Sequence, residues 1–228
     1  MKFSISTNRI ENTLGYCYLA FYQIFLPSLI GTVSYLVGTP ISPSLLNIIF
    51  FLINFTAVAL IFRRFLAQSL LSVKGNIKYI LISVIMGLVI YFVAGFFFGL
   101  ITPWIDPNFS NVNDNAILDM TREYGAILSF CIVVLVPVVE ETIFRGLIFR
   151  HLYQKNKLIG YCVSIAVFSL IHVAGYIGTE DFTTLLLCFI QYIPAGYALA
   201  GAYERTGNIC APIVTHITIN LIGLLLLR

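Results

Sequence analysis

Long apolar stretches alternate with short polar ones along most of this chain. Each apolar stretch is close to the roughly 17–25 residues that an α-helix needs to cross about 30 Å of hydrocarbon. Aromatic residues, including Trp104, lie near several of their ends, as is typical of a membrane interface. The pattern therefore predicts an all-α fold, a polytopic transmembrane helical bundle of about seven spans with room for an eighth. The predicted spans are 16–37, 44–62, 79–101, 125–144, 158–176, 184–203 and 211–227.

The composition agrees with this fold class. Hydrophobic residues make up 59% and charged residues 10% of the 228 positions, and the mean hydropathy is +0.95. Soluble domains carry about 25% charged residues, so this chain has too little polar surface to cover a globule in water. We expect residues 1–228 to form a single integral membrane domain in contact with membrane lipid. The net charge of +3 indicates topology and predicts no nucleic-acid partner.

The charged residues of the polar stretches predict how the bundle is oriented. The stretches 63–78 and 145–157 hold basic residues and no acidic ones, whereas 102–124 and 177–183 are mainly acidic. Cytoplasmic loops carry an excess of Lys and Arg, which places the basic stretches in the cytoplasm. We therefore expect a protein of the cell membrane with its N-terminus inside and its C-terminus outside. The first 14 residues are expected on the membrane surface, 63–78 as a linker and 102–124 as an external loop.

Ionisable residues lie inside the fourth predicted span. Glu141 and Arg145 are one helical turn apart and can form an ion pair, whereas Glu140 points about 100° away from Glu141. A charge at mid-bilayer costs several kcal/mol, on the order of 3 by insertion scales, unless it faces a partner or a water-filled cavity. Pro137 lacks an N–H and is expected to leave a carbonyl one turn upstream without its donor. A functional site and a structural ion-pair cluster are both compatible with this pattern.

Two further polar sets lie in later spans. His172 follows Phe168 by one helical turn and Asn220 follows His216 by one turn, so each pair shares one face of its helix. Asn is costly to bury in lipid without a hydrogen-bond partner. A catalytic site is one interpretation of these sets. The alternative is a packed histidine and a hydrogen-bonded clamp between helices.

The heights of these residues along the bundle can be compared. If the fourth helix continues to a turn near Lys155, Glu140 lies 15 residues before that turn and His172 lies 17 residues after it. Both then reach about 23–26 Å above the turn, so their side chains can meet. His216 closely follows the short connection 206–211 and is expected nearer to the cytoplasmic face. If these residues form an enzyme site, that hypothesis predicts a polar cavity that faces the cytoplasm and receives the end of a peptide substrate.

The order and spacing of these residues are similar to those of a known family. In chain order the motifs are Glu140-Glu141-x-x-x-Arg145, Phe168-x-x-x-His172 and His216-x-x-x-Asn220. They resemble the three motifs of the CAAX prenyl protease and bacteriocin-processing family, also called the Abi family. Pro137 and the stretch 205–216 are similar to sequences beside the first and third motifs. The resemblance covers about residues 125–222, which we expect to be the catalytic core.

This resemblance implies an intramembrane endopeptidase of the type II CAAX-protease kind. In that family the residues matched by Glu140 and His172 are thought to activate a water molecule, and those matched by His216 and Asn220 to bind the oxyanion. The substrate would be a peptide or protein, either lipidated or the precursor of a secreted peptide. The site would also contain supporting residues, which are Glu141, Arg145 and Phe168.

Alternatives remain open for both the mechanism and the function. No cofactor is expected, but Glu140, His172 and His216 could instead supply a zinc site with an open position for water. The rival function is a non-catalytic membrane partner that regulates a sensor kinase or confers self-immunity to a bacteriocin. A third possible function is the transport of ions or protons, a common role of acidic residues inside membranes.

Overall fold

The computed structural model describes residue 3 and residues 5–38 and 41–226 of the chain. Within these residues the secondary structure is helical and contains no β-strand. The all-α bundle predicted from the apolar pattern is therefore confirmed. The helices are α1 (Arg9–Ile24), α2 (Leu26–Val37), α3 (Pro43–Ile61), α4 (Arg63–Ile105), α5 (Val112–Lys155), α6 (Lys157–Val173), α7 (Phe182–Thr206) and α8 (Cys210–Leu226).

Five helices, α3 to α7, are long and apolar enough to cross a membrane, and α8 is a shorter apolar helix. Large apolar side chains are exposed along them, as expected of a surface that faces lipid, and Trp104 at the end of α4 is 89% exposed. The predicted span 16–37 is not one helix, because the chain is divided at Phe25 between α1 and α2. The last residue of the predicted span 211–227 lies outside the described residues.

The prediction of a linker at 63–78 is wrong. This stretch is the first part of α4, a helix of 43 residues that is about 64 Å long and so exceeds twice the hydrocarbon thickness. The stretch has one glycine, no proline and many good helix formers, so nothing in it ends a helix. The chain turns instead at Phe62, whose φ of −100° and ψ of 20° are not helical and whose side chain is fully buried.

The external loop predicted at 102–124 is also mostly helical. Only 106–111 connects α4 to α5, and the Asn111 side chain accepts hydrogen bonds from the N–H groups of Asn113 and Asp114 to cap the new helix. The helix bends at Tyr124 and Gly125, and the φ of 21° at Gly125 is one that residues with a Cβ rarely adopt. The polar segment is thus the first three turns of α5.

Beyond this bend α5 continues to Lys155, where the sequence predicts the turn to the next helix. It contains two π-helical segments, Cys131–Leu135 and Thr142–Phe149, on either side of the two glutamates. The Asn156 side chain then caps α6 by accepting a hydrogen bond from the N–H of Ile159. The antiparallel α5–α6 hairpin therefore begins at the turn that the sequence predicts.

The N-terminal segment packs into the bundle and does not lie free on the membrane surface. Glu11 is 3% exposed, and its carboxylate accepts hydrogen bonds from the backbone N–H groups of Asn8 and Phe65. Thr7 is hydrogen-bonded to Arg150 of α5. The carboxylate supplies an acceptor to the first turn of α4, where backbone donors have no partner within the helix. Residues 1, 2 and 4 lie outside the described residues.

Gly160 allows the closest approach within the α5–α6 hairpin. A Cβ atom at this position would lie 2.8 Å from the backbone Cα and N atoms of Tyr153. We expect Gly160→Ala to push the two helices apart and to lower stability by about 1–3 kcal/mol, the usual cost of overpacking. Heating the detergent-solubilised protein and measuring the fraction that stays monodisperse should show a lower melting temperature. Gly95→Ala is the matched control, because a Cβ at Gly95 meets nothing within 4 Å, and equal melting temperatures for both variants would contradict the prediction.

Candidate active site

An ion pair lies in the interior of the bundle, where α5 faces α8. The Arg145 Nη1 atom is 3.1 Å from the Glu141 Oε1 atom, and both side chains are completely buried. His216 of α8 places its Nδ1 atom 2.8 Å from the same carboxylate oxygen. The ion pair that the spacing of Glu141 and Arg145 predicts is therefore present. It joins a histidine from another helix, which links the first and third motifs.

Arg145 extends this network to two further helices. Its Nη2 atom donates a hydrogen bond of 3.3 Å to the carbonyl oxygen of Gly196 on α7. Its guanidinium lies over the ring of Phe168 on α6, 4.3 Å from the ring centroid. A planar guanidinium with several donors suits such a position, because it can bind a carboxylate, a carbonyl and an aromatic face together. The second motif is thus joined to the first through Phe168.

Glu140 differs from Glu141 in facing a cavity. It is 8% exposed and lines the cavity wall. Its Oε2 atom is 4.0 Å from the Nε2 atom of His216 and has no hydrogen-bond partner within the described part of the chain. Because the residue lines the cavity, its carboxylate could accept a proton from a water molecule there.

His172 lines the same cavity as Glu140. Its Nδ1 atom is 2.8 Å from the carbonyl oxygen of Phe168. A carbonyl can only accept, so Nδ1 carries the hydrogen and the Nε2 atom of a neutral ring has a free lone pair. Tyr192 of α7 stacks on the imidazole with 4.2 Å between ring centroids and limits its rotation. The structure thus brings Glu140 and His172 to one cavity, as their predicted heights allow.

His216 lies deeper than the sequence predicted, since it contacts Glu141 and is not displaced toward the basic end. The connection before α8 is buried, with Asn208 2% and Ile209 0% exposed. The Asn208 amide donates to the carbonyl of Ser69 and the hydroxyl of Ser72, at 3.0 and 2.7 Å. The π-helical segments of α5 also contribute, because more residues per turn shorten the helix for a given number of residues. The buried connection moves His216 away from the basic end, and the shortened α5 brings the glutamates closer to that end. Together they remove the expected difference in height.

Asn220 holds α8 against the irregular part of α5. Its Nδ2 atom donates a hydrogen bond of 3.0 Å to the carbonyl oxygen of Ile132. In the π-helical segment the N–H of Val136 bonds to Cys131, and the donor that would serve Ile132 belongs to Pro137, which has none. The carbonyl that the proline was expected to leave unpaired is therefore satisfied across the bundle. Asn220 also lines the cavity and has a second amide hydrogen.

The cavity that joins these residues has a volume of about 1030 Å³. Its inner end is formed by Glu140, His172 and His216, and its walls are mainly apolar. It extends toward Asn113 and Tyr176, which lie beside the 106–111 and 177–181 connections. The cavity does not extend to the basic end, which the sequence assigns to the cytoplasm, because the core at that end is filled by aromatic side chains. These are Phe62, Phe65, Phe149 and Tyr203, each fully buried.

The donor atoms near the cavity bear on the zinc alternative. Among the described residues, no group of three or more His, Cys, Asp and Glu side chains could hold a metal ion. The Nδ1 atoms of His172 and His216 are bonded to Phe168 and Glu141, so each imidazole has only its Nε2 atom left to offer. The metal-free mechanism stays a prediction.

The sequence reasoning did not identify three participants in the site. These are Tyr192, which stacks on His172, the Gly196 carbonyl, which accepts from Arg145, and the Ile132 carbonyl, which accepts from Asn220. Gln191 and Tyr192 are polar residues in the middle of an apolar span, and that signal could have singled out Tyr192. The two carbonyls carry no signal in the side-chain sequence.

Comparison with known proteins agrees with the motifs. A protein of Bacillus subtilis (strain 168) named "Putative membrane peptidase YdiL" is 30% identical over 142 residues, which cover 58% of this chain and 53% of that protein. This chain therefore spans about half the length of that relative. No solved structure matches the chain. Residues 122–222 match the sequence model of the Rce1-like family, described as type II CAAX prenyl endopeptidase Rce1-like. The resemblance that the three motifs predict is thus confirmed for residues 122–222 of this integral membrane protein, which are similar to the Rce1-like, type II CAAX prenyl endopeptidases.

Proposed function

We propose that this protein is a glutamate-dependent intramembrane endopeptidase of the CAAX-protease type. One observation carries the proposal. Glu140 lines a cavity together with His172, His216 and Asn220, and its buried Oε2 atom has no hydrogen-bond partner within the described part of the chain. These are the residues that the three motifs single out, and a relative that matches this chain is named as a membrane peptidase.

In the proposed reaction Glu140 removes a proton from a water molecule in the cavity. The resulting hydroxide attacks the carbonyl carbon of the peptide bond, and the C–N bond then breaks as the proton passes to the leaving amine. The free Nε2 lone pair of His172 orients the water. Proton transfer by a positioned side chain contributes about 10²–10⁴-fold to a rate.

His216 and Asn220 are the proposed donors to the oxyanion of the tetrahedral intermediate. Asn220 donates one amide hydrogen to Ile132 and keeps the other for this purpose. In this proposal both ring nitrogens of His216 carry hydrogen: Nδ1 donates to the Glu141 carboxylate and Nε2 donates to the oxyanion. One such donor stabilises an oxyanion by about 3–4 kcal/mol.

The proposed substrate is a peptide or protein, either lipidated or the precursor of a secreted peptide. We also propose that the basic end of the bundle is cytoplasmic, with the N-terminus inside and the C-terminus outside. Maturation of a secreted peptide and self-immunity to a bacteriocin are two uses compatible with this activity. The rival function, a non-catalytic partner of a sensor kinase, is favoured by one observation: the bond from Asn220 to Ile132 is a clamp between helices.

Two substitutions in the proposed machinery separate catalysis from a binding role. We expect Glu140→Gln and His172→Ala to lower peptide cleavage at least about 10²-fold, because each removes a proton acceptor in the cavity. The protein in liposomes is incubated with a bacterial membrane peptide extract, and new peptide amino termini are labelled and identified by mass spectrometry. Leu158→Ala, at an exposed position outside the cavity and the motifs, should keep the wild-type set of termini. If wild-type protein and Glu140→Gln yield the same termini, the peptidase is excluded and the non-catalytic partner is favoured.

The buried ion pair should matter to stability more than to chemistry. Arg145→Ala leaves Glu141 charged and without its cation in a dry site, which costs about 3–5 kcal/mol. We expect little folded protein in the membrane and early aggregation on heating. Arg122→Ala is the control, because its pair with Asp119 is exposed and such pairs contribute about 0–1 kcal/mol. Wild-type thermal stability of Arg145→Ala would show that the network does not hold the bundle together.

Metal content tests the choice between the two mechanisms. Water activated by Glu140 and His172 needs no zinc, so cleavage should persist after treatment with 1,10-phenanthroline and dialysis. Elemental analysis of the purified protein before and after this treatment is the companion measurement. Stoichiometric zinc that is lost together with activity, and restored with it, would replace the proposed mechanism by the zinc alternative.

A further inference from the structure

The charged residues of this protein are separated between the two ends of the bundle. At one end α1 and α4 begin, α5 turns into α6, and α7 turns into α8. That end carries an excess of basic residues, which are Arg9, Arg63, Arg64, Arg150, Lys155, Lys157 and Arg205; its acidic residues Glu11 and Glu204 are paired with Arg64 and Lys157. The opposite end contains the connections 106–111 and 177–181 and carries Asp106, Asp119, Glu123, Glu180 and Asp181, with Arg122 as the basic residue that the structure describes there.

The cavity is confined to the acidic half of the bundle. Its walls come from the beginnings of α3 and α5 and the ends of α6 and α8, which lie at the acidic end, and also from Tyr22 of α1, Gly31 of α2 and Tyr91 of α4. None of its lining residues belongs to the turn around Asn156, to the 207–209 connection or to the first part of α4. Glu140 and His172 are thus reached from the acidic end.

The basic end is closed by packed side chains over the same cross-section. Phe3 stacks on Tyr203 with 4.8 Å between ring centroids, and the ring of Phe149 packs beside them. Between this aromatic layer and the cavity lies the buried pair of Glu141 and Arg145. A peptide approaching from this end would have to displace both layers, whereas the other end already has an open volume.

We infer that the cavity opens to the outside of the cell, so that the peptidase takes apolar peptide segments that reach it from the extracytoplasmic side. The physical basis is the excess of Lys and Arg on cytoplasmic segments, which assigns the basic, closed end to the cytoplasm. The peptidase part rests on the proposed function, but the side on which the cavity opens does not. The substrate class is then a secreted or membrane-anchored peptide whose cleaved bond lies beyond the membrane centre.

Cysteine labelling tests the inference without any assumption about cleavage. The native residues Cys17, Cys131, Cys162, Cys188 and Cys210 are first replaced by alanine. Single cysteines are then introduced as Gly175→Cys in the cavity wall, Thr179→Cys in the acidic-end connection and Gln154→Cys at the basic end. All three positions are exposed, and a Cβ at Gly175 meets nothing within 4 Å. The probe is a charged, membrane-impermeant maleimide applied to right-side-out vesicles.

The expected result is labelling of Gly175→Cys and Thr179→Cys in intact vesicles and labelling of Gln154→Cys only after detergent is added. Labelling of Gln154→Cys without detergent would overturn the orientation. Labelling of Thr179→Cys without Gly175→Cys, in vesicles or in detergent, would show that the cavity is closed at this end. All three variants should match the cysteine-free protein in thermal stability.

A second measurement connects the cavity mouth to cleavage. In protein with peptidase activity, impermeant maleimide added outside should stop cleavage by Gly175→Cys and leave that by Gln154→Cys unchanged. If labelling follows the expected pattern and no variant or wild type cleaves peptides, the proposed function fails while the location of the cavity stands. If labelled Gly175→Cys cleaves at the unlabelled rate, substrate does not pass this mouth and the inference fails.

Discussion

The fold depends on one buried charge pair whose neutralisation requires four helices. Glu141 and Arg145 are adjacent on α5, but neither could remain charged in a dry interior on the strength of the other alone. His216 from α8 contacts the carboxylate, and Gly196 from α7 contacts the guanidinium. The ring of Phe168 from α6 adds a favourable aromatic face. The helices are therefore positioned by the same interactions that place Glu140 beside the cavity.

Local spacing and antiparallel geometry account for what the sequence predicts well. The pair of Glu141 and Arg145 follows from one helical turn, since neighbours on a single helix are fixed by its pitch. The common height of Glu140 and His172 follows from a hairpin with a short turn near Lys155. Hydrophobicity predicted most spans because the thickness of the bilayer sets the length of an apolar stretch that can cross it.

The predictions from sequence fail where contacts between residues far apart in the chain determine the structure. Helix α4 continues through a basic stretch because nothing local stops it, and the chain turns where Phe62 becomes buried. The depth of His216 depends on Asn208 bonding to α4, a contact between residues 136–139 positions apart. The end at which the cavity opens depends on where aromatic side chains from several helices fill the core. Periodicity within one helix carries none of this information.

Pro137 creates a requirement for the side chain at position 220. Because it provides no hydrogen, the Ile132 carbonyl needs a donor from elsewhere, and Asn220 supplies it. A substitution of Asn220 therefore leaves the Ile132 carbonyl without a donor, whatever its effect on chemistry. A residue with an N–H at position 137 would remove the need for a donor from Asn220. Selection is expected to act on the two positions together. A lineage without the proposed peptidase activity would keep Asn220 for as long as it keeps the proline.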